Sequence, residues 1–208
     1  MKKDDIKLLT ERILKGGIIK KEEALMLINL NEDEMDMMEA LFDGANKIRK
    51  EFMGNQVDLC TIMNVKSGRC TEDCKYCAQS ICYETGIQEY NWLEYDKILE
   101  RALEMQNSGA HRFSLVSSGK AISGKSFENL LTIYSRLKED TDLELCASHG
   151  MITYEQALGL KEAGVSAYHH NIETSRNYYE QICSTHTYQD RIHTIENLQR
   201  AELDICCG

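Results

Sequence analysis

The sequence predicts an α/β protein with a parallel β-sheet, preceded by a helical segment. Two patterns carry this prediction: five short apolar segments alternate with amphipathic helices, and Gly109 and Gly164 follow two of these helices just before the next strand. Strand–helix–strand units of this kind connect neighbouring parallel strands through right-handed crossovers. The chain is therefore expected to divide into an N-terminal helical extension, residues 1–55, and a βα region, residues 56–208.

The individual elements follow the spacing of the apolar residues. In the extension, three segments repeat apolar side chains with the period of one helix face. Beyond it, apolar segments predict strands at residues 57–65, 112–117, 143–147, 166–172 and 203–207. Helical periodicity predicts helices at residues 95–107, 126–138, 154–163 and 188–201. Because the chain stops directly after the fifth strand, the sheet is expected to be either open or part of a barrel that further βα units would close.

Composition excludes several classes of function. The 208 residues carry 24 basic and 34 acidic side chains, and the net charge of −10 disfavours binding to nucleic acid or anionic lipid. No apolar run approaches the roughly 18 residues of a membrane-spanning helix, and the N-terminus lacks the apolar core of a signal peptide. Nine cysteines in such a chain indicate metal ligands or catalytic thiols in the cytoplasm, not disulfides.

The strongest chemical signal is a cluster of three cysteines, Cys70, Cys74 and Cys77, after the first predicted strand. In a parallel α/β fold this loop lies at the carboxyl ends of the strands, where active sites form. A structural zinc site needs four protein ligands, whereas three close thiolates suit a four-iron cluster that keeps one iron open. A zinc site, with Cys82 as a fourth ligand, is the alternative.

The wider sequence around these cysteines is similar to a known superfamily. The motif C-x3-C-x2-C, with Tyr76 before the last cysteine, resembles the radical S-adenosylmethionine (SAM) superfamily. Three longer segments, residues 68–80, 168–175 and 184–191, resemble the biotin synthase family within it. The resemblance implies a TIM-type (βα)8 radical SAM barrel with N-terminal helices. About five βα units are present here, so the chain is expected to be truncated at its C-terminus.

The same resemblance implies an enzyme, a sulfurtransferase that converts dethiobiotin to biotin in the last step of biotin biosynthesis. It implies a [4Fe-4S] cluster and SAM, which yield a 5′-deoxyadenosyl radical, and an auxiliary iron–sulfur cluster, [2Fe-2S] or a variant, that donates sulfur. It further implies a reduced flavodoxin or ferredoxin-type electron donor, a homodimer and a cytoplasmic location. Residues 1–208 alone are not expected to turn over, because an unclosed barrel leaves the radical site open to water.

The resemblance also assigns roles to individual residues. The three cysteines of the loop would ligate the SAM-binding cluster. Around SAM, Tyr76 would lie near the adenine, Glu173 would replace a family aspartate that contacts the ribose, and Arg191 would pair with the carboxylate. Asn171 would contact dethiobiotin or lie between the two ligands. Without the resemblance, Arg191 would be interpreted as one partner of a surface ion pair on a helix.

The auxiliary cluster is where the sequence departs from the family. Cys146 and Cys206 match family cysteines on the third and fifth strands, but Ser114 stands at the second-strand position. Serine is a poor iron ligand beside a thiolate. Either Ser114 takes a weak oxygen-ligand role, or the cluster is built differently, with Cys183 or Cys207 as replacement ligands. The two remaining cysteines are expected to be packing or loop residues: Cys60 and Cys82.

Three other interpretations stay open. Gly119–Ser126 matches the phosphate-binding pattern G-x4-G-K-[ST] and would make the chain a nucleotide hydrolase, with Lys125 on the phosphates and Ser126 on magnesium. The hydrogenase maturases share the barrel and the cysteine loop, although residues 168–175 and Cys206 favour the biotin synthase family. The third interpretation is an inactive fragment that keeps the motifs without a sealed site.

Overall fold

The computed structural model describes residues 2–208 and divides the chain into two compact units, one ending at Val57 and the other spanning Asp58–Gly208. In the first unit, α1 packs against α3 and buries Ile6 and Ala40. The unit consists of three helices: α1 (Lys3–Leu14), α2 (Lys21–Ile28) and α3 (Met35–Met53).

The second unit is a five-stranded parallel sheet with the strand order β1-β2-β3-β4-β5, in which a helix-containing crossover joins each strand to the next. The predicted parallel sheet is therefore confirmed. Its strands are β1 (Cys60–Lys66), β2 (Arg112–Ser117), β3 (Glu144–Ser148), β4 (Val165–His169) and β5 (Asp204–Cys206). Its helices are α4 (Tyr95–Asn107), α5 (Gly124–Asp140), α6 (Tyr154–Glu162), α7 (Tyr179–Ile182) and α8 (Tyr188–Arg200).

Two local differences from the sequence-based elements concern the segment after β4. The strand ends at His169 and not at residue 172, although the amides of His170 and Ile172 still donate to the carbonyls of Cys206 and Gly208. The extended backbone stops at Glu173, whose φ of 67° lies in the left-handed region. The short helix α7 was not predicted, since one turn is too short to show periodicity. Among residues 2–208, no helix combines the length and the hydropathy needed to cross a bilayer.

The two faces of the sheet differ in chemistry. One face packs on the helices through alternate residues, among them Val65, Phe113, Leu145 and Tyr168, which belong to one continuous apolar core. Successive side chains of a strand point to opposite faces. The residues that alternate with the core positions therefore form the opposite face, called the inner face: Cys60, Ile62, Asn64, Arg112, Ser114, Val116, Glu144, Cys146, Ser148, Ala167, His169, Asp204 and Cys206.

Candidate cofactor-binding site

A cavity of about 310 Å³ lies at the carboxyl ends of the strands, between the inner face and the loops that follow β1 to β4. One residue assigned by resemblance, Asn171, and the three auxiliary-cluster residues lie outside its lining. The residues assigned to the SAM cluster or to SAM all line this cavity: Cys70, Cys74, Tyr76, Cys77, Glu173 and Arg191. The structure therefore brings together the residues that the resemblance assigns to SAM and its cluster, and separates them from those assigned to the auxiliary cluster.

Main-chain hydrogen bonds close the cysteine loop on itself. The amide of Cys70 donates to the carbonyl of Gln79 and the amide of Cys77 donates to the carbonyl of Cys74, each over 3.0 Å. The side chain of Gln79 also accepts from the amide of Gly68 at 2.5 Å. Because main-chain atoms and Gln79 set this conformation, the shape of the loop does not depend on its three thiols.

A second segment, between α7 and α8, is fastened to the cysteine loop. The Asp73 carboxylate accepts from the Ser184 amide at 2.8 Å and from the Thr185 hydroxyl at 3.1 Å, and the bonds from Ser184 hold the pKa of Asp73 well below its usual range. Beside it, the buried Glu72 carboxylate lies 2.6 Å from Nδ1 of the buried His186. Two of the segments that carry the resemblance thus form one wall of the cavity.

Arg191, in the first turn of α8, joins the other predicted SAM contacts. Its Nη2 donates to Tyr76 Oη at 3.0 Å, its Nη1 donates to the Asn171 carbonyl at 2.9 Å, and Nη1 lies 3.9 Å from Glu173 Oε1. Its Nε donates to Tyr179 Oη at 2.5 Å. The side chain is only 12% exposed. It is therefore a fixed cation at the cavity wall and not one partner of a solvated surface ion pair.

The backbone is strained at Glu173. This residue has a φ of 67°, in the left-handed region that non-glycine residues rarely adopt. Its amide and that of Ile172 both donate to the carbonyl of Gly208, at 3.1 and 2.9 Å. Strained residues of this kind cluster at functional sites, where the surroundings hold them in place. The strain therefore adds weight to the expected contact between Glu173 and a ligand.

Cys183 lies in this site and not with the auxiliary set for which it was considered. Its Sγ is 3.7 Å from Cys74 Sγ and 3.2 Å from His186 Nδ1, and the ligand atoms of the three residues lie within 4.8 Å of one another. Burial, together with the neighbouring Cys183, raises the pKa of Cys74 to about 12. The sequence contains no signal for this contact, because 109 residues separate the two cysteines.

His170 is a further site residue, within the segment 168–175 that carries the resemblance but without an assigned role. It lines the cavity and is 5% exposed, and within the described part of the chain its Nε2 has no hydrogen-bond partner. Burial, assisted by the charge of Arg191, lowers its pKa to about 4, so the ring is neutral at pH 7. An unpartnered buried polar atom is uncommon in folded proteins and here points at the space that a ligand would fill.

The donor set of the cysteine loop suits an iron–sulfur cluster with one open iron. Cys70 and Cys74 are 8% and 7% exposed, and Cys77 lines the same cavity. Burial raises the pKa of both Cys70 and Cys74, so metal binding must displace their protons. Cys82, the fourth ligand of the zinc alternative, is exposed and lies outside the cavity lining.

The auxiliary-cluster residues lie elsewhere on the inner face. Ser114 and Cys146 are side by side on β2 and β3, and both are fully buried. Cys206 is paired with His169 across β4 and β5. Cys207 follows the end of β5 and is exposed.

The lysine and serine of the phosphate-binding pattern do not line the cavity, as a phosphate-binding loop would require. Lys125 and Ser126 lie in the first turn of α5, outside the cavity lining, whereas Lys120 lines the cavity and donates to the Thr185 carbonyl at 2.8 Å. Gly119 also lines the cavity. The residues of this segment that meet the cavity are therefore not the lysine and serine of the motif.

A parallel βα sheet with three cysteines and a buried arginine at the carboxyl ends of its strands defines a cofactor-dependent enzyme of the βα-barrel class. The sequence profile of the Radical SAM superfamily matches residues 64–208, and the chain belongs to this superfamily. Membership implies a [4Fe-4S] cluster and SAM as cofactors. The zinc interpretation of the cysteine loop is therefore not supported.

Curated relatives and solved structures agree with this assignment. The chain is 55% identical over 200 residues to the biotin synthase of Clostridioides difficile (strain 630) and 51% identical over 205 residues to that of Acetivibrio thermocellus. These matches cover 96% and 99% of this chain but 62% and 63% of the relatives, so the chain spans about three fifths of their length.

Among solved structures, a maturase of the [FeFe]-hydrogenase has a TM-score of 0.83 at 20% identity, covering 100% of this chain and 46% of that one. Methylornithine synthase has a TM-score of 0.80 at 20% identity, covering 96% and 58%. These likenesses confirm the predicted fold class, a TIM-type radical SAM barrel of which five βα units are present here.

Proposed function

We propose that this chain is the SAM- and cluster-binding part of a biotin synthase-type radical SAM sulfurtransferase, which converts dethiobiotin to biotin. The observation that carries the proposal is the single cavity in which the cysteine loop meets Tyr76, Glu173 and Arg191. The identity of 55% to a biotin synthase favours this reaction over that of the hydrogenase maturases, whose structural likeness at 20% identity reflects the fold alone.

The residues of the chain would bind and orient the cofactors. Cys70, Cys74 and Cys77 would hold the [4Fe-4S] cluster as thiolates. When bound, the cluster supplies one electron and SAM supplies a 5′-deoxyadenosyl group that takes a hydrogen atom from the substrate. Arg191 would pair with the SAM carboxylate through its planar fork of donors, which matches two oxygens at once. Tyr76, held by Arg191, would lie against the adenine.

Glu173 and Asn171 would contact the rest of SAM and the substrate. The Glu173 carboxylate, fixed by the strained backbone, would accept hydrogen bonds from the ribose hydroxyls. The Asn171 carbonyl accepts from Arg191, and its side-chain Oδ1 accepts from the Gly208 amide at 3.0 Å. Asn171 is therefore held beside the SAM-binding arginine, where it would contact dethiobiotin or lie between the two ligands.

Three further parts of the proposal concern other partners. Cys146, Cys206 and Ser114 would hold an auxiliary cluster, [2Fe-2S] or a variant, as the source of sulfur. A reduced flavodoxin or ferredoxin-type protein would deliver electrons, and the enzyme would act as a cytoplasmic homodimer.

Anaerobic reconstitution tests the cluster assignment. We expect iron and sulfide to be incorporated, and the electron paramagnetic resonance signal of the reduced cluster to change when SAM is added. The variant in which Cys70, Cys74 and Cys77 are all replaced by alanine should lose the SAM-sensitive part of this signal. Cys82→Ser, which alters an exposed loop cysteine, is the matched control and should keep it. A SAM-sensitive signal in the triple variant would contradict the assignment.

A further inference from the structure

A second group of thiols faces the inner side of the sheet, away from the cysteine loop. Cys146 on β3 and Cys206 on β5 belong to this group, as the family pattern leads one to expect. Cys60, for which only a packing or loop role was expected, lies at the start of β1. It is on the same strand face as Ile62, which lines the cavity, because the two are separated by two positions.

The register of the sheet places Cys60 on the same face as the other two cysteines. On β1 and β2, Ile62 pairs with Ser114, and on β2 and β3, Ser114 pairs with Cys146. Cys60 lies two positions before Ile62 on the same face and pairs with Arg112 of β2. Cys206 lies on this face of β5, paired with His169 of β4. The thiols of β1, β3 and β5 therefore share one face of the sheet.

Ser114 provides an independent sign that this space receives a ligand. Its side chain is fully buried between those of β1 and β3, and its Oγ has no hydrogen-bond partner among residues 2–208. Leaving a buried hydroxyl unpaired is costly, on the order of 1–3 kcal/mol. A serine that only filled space would not need its hydroxyl here. A cluster sulfide or iron beside it would give the hydroxyl a partner.

We propose that Cys60, Cys146 and Cys206 are the thiolate ligands of a second iron–sulfur cluster, and that Cys60 supplies the thiolate that position 114 lacks. The proposal rests on the auxiliary cluster of the proposed function and changes its ligand set. Ser114 then donates a hydrogen bond to the cluster or supplies a weak oxygen ligand. The missing second-strand cysteine is thus replaced from β1, the neighbouring strand, and not from the loop that carries Cys183.

The test uses the full chain in which Cys70, Cys74 and Cys77 are alanines, so that any remaining cluster reports on the inner face alone. After anaerobic reconstitution we expect iron, acid-labile sulfide and visible thiolate-to-iron absorption. Adding Cys60→Ser should remove most of that iron and sulfide, whereas adding Cys82→Ser should remove none. Circular dichroism melting curves establish that each variant is folded.

A second variant, in which the thiol is moved from Cys60 to position 114, tests whether Cys60 is a cluster ligand or only supports the fold. Combining Cys60→Ser with Ser114→Cys returns a thiol to the second-strand position and should restore the lost iron. Zinc without sulfide, or full iron retention after Cys60→Ser, would overturn the proposal. Absence of iron in the triple variant, together with a SAM-sensitive signal in the unmodified chain, would overturn it while leaving the SAM-cluster assignment standing.

The same triple variant distinguishes this inference from the proposed function. Iron and sulfide that depend on Cys60 would support the inner-face ligand set even in a protein that does not convert dethiobiotin. Conversely, a SAM-sensitive signal in the unmodified chain would stand if Cys60 proved dispensable. The two outcomes are therefore read from different measurements.

Discussion

The cysteine loop and the inner face both gather thiols, but they do so in opposite ways. The loop places Cys70, Cys74 and Cys77 within eight consecutive residues, and its own main-chain hydrogen bonds set its shape. The inner face carries Cys60 and Cys146, which lie more than eighty positions apart in the sequence, and strand register alone places them on one face. A local site is visible in sequence, whereas a site built by register becomes visible only in the folded sheet.

The largest expected effect is the independent loss of each site. Cys74→Ala should abolish the SAM-sensitive resonance signal and leave the inner-face iron in place. Cys146→Ala should do the reverse, because no main-chain hydrogen bond of the loop involves the inner face. Iron analysis and resonance spectra of both variants, reconstituted side by side, measure this. If each substitution removed both clusters, the two regions would not be separate sites.

Substituting Arg191 tests whether its guanidinium binds the SAM carboxylate through two parallel hydrogen bonds. Arg191→Lys keeps the charge but loses the planar fork, and we expect SAM binding to weaken about 10- to 100-fold, the equivalent of one or two charged hydrogen bonds. Equilibrium titration of the reconstituted protein with SAM measures the change in Kd. Arg176→Lys is the control, since Arg176 is exposed and outside the cavity lining. Equal affinities for the two variants would remove Arg191 from the site.

A buried histidine, His149, lies between the cavity and helix α5 and should make the stability of the sheet unit depend on pH. His149 lies 2.9 Å from Ser117 Oγ, which lines the cavity, and 2.8 Å from Tyr134 Oη, which also contacts the carbonyl of Cys146 at 3.1 Å. Burial lowers the pKa of His149 to about 3. The unfolded chain, with an ordinary histidine pKa, therefore binds the proton more readily than the folded chain.

Stability should accordingly be complete above about pH 6.5 and fall as the pH decreases towards 3. We expect the free energy of unfolding to drop by on the order of 3 kcal/mol between pH 7 and pH 4 from this residue. His170, with its pKa lowered to about 4, adds to the drop in the same direction. Denaturant titrations at several pH values measure it. His149→Gln should flatten the profile, and an unchanged slope in that variant would exclude His149 as the main cause.

The parts of the molecule that sequence predicts are those set by short-range patterns. The alternation of short apolar segments with amphipathic helices predicts the parallel sheet. The motif around Tyr76 and the segment around Arg191 predict residues that meet in the cavity. These segments fold back on one another because each follows a parallel strand, and such loops share one edge of the sheet.

The parts that sequence does not predict depend on register and on side-chain direction. Cys60 was assigned a packing or loop role because its own strand gives no reason to distinguish it, yet β1 places it on the inner face. Cys183 was considered for the auxiliary cluster, but the bonds from Ser184 and Thr185 to Asp73 draw it to Cys74. Neither contact follows a fixed spacing, so no sequence pattern marks it.

The smallest expected effect is that of Lys120, which is compared with Lys125 of the same glycine-rich segment. Lys120 Nζ donates to the Thr185 carbonyl and lies 3.7 Å from Glu72 Oε2, so it bridges the two loops of the cavity, whereas Lys125 lies outside the lining. Lys120→Met should weaken SAM binding by about two- to fivefold, the range of a partly exposed ion pair. Lys125→Met should leave it unchanged. If Lys125→Met instead abolished ATP hydrolysis by the purified chain, the segment would be a phosphate-binding loop after all, and the cavity would have to be assigned to a nucleotide.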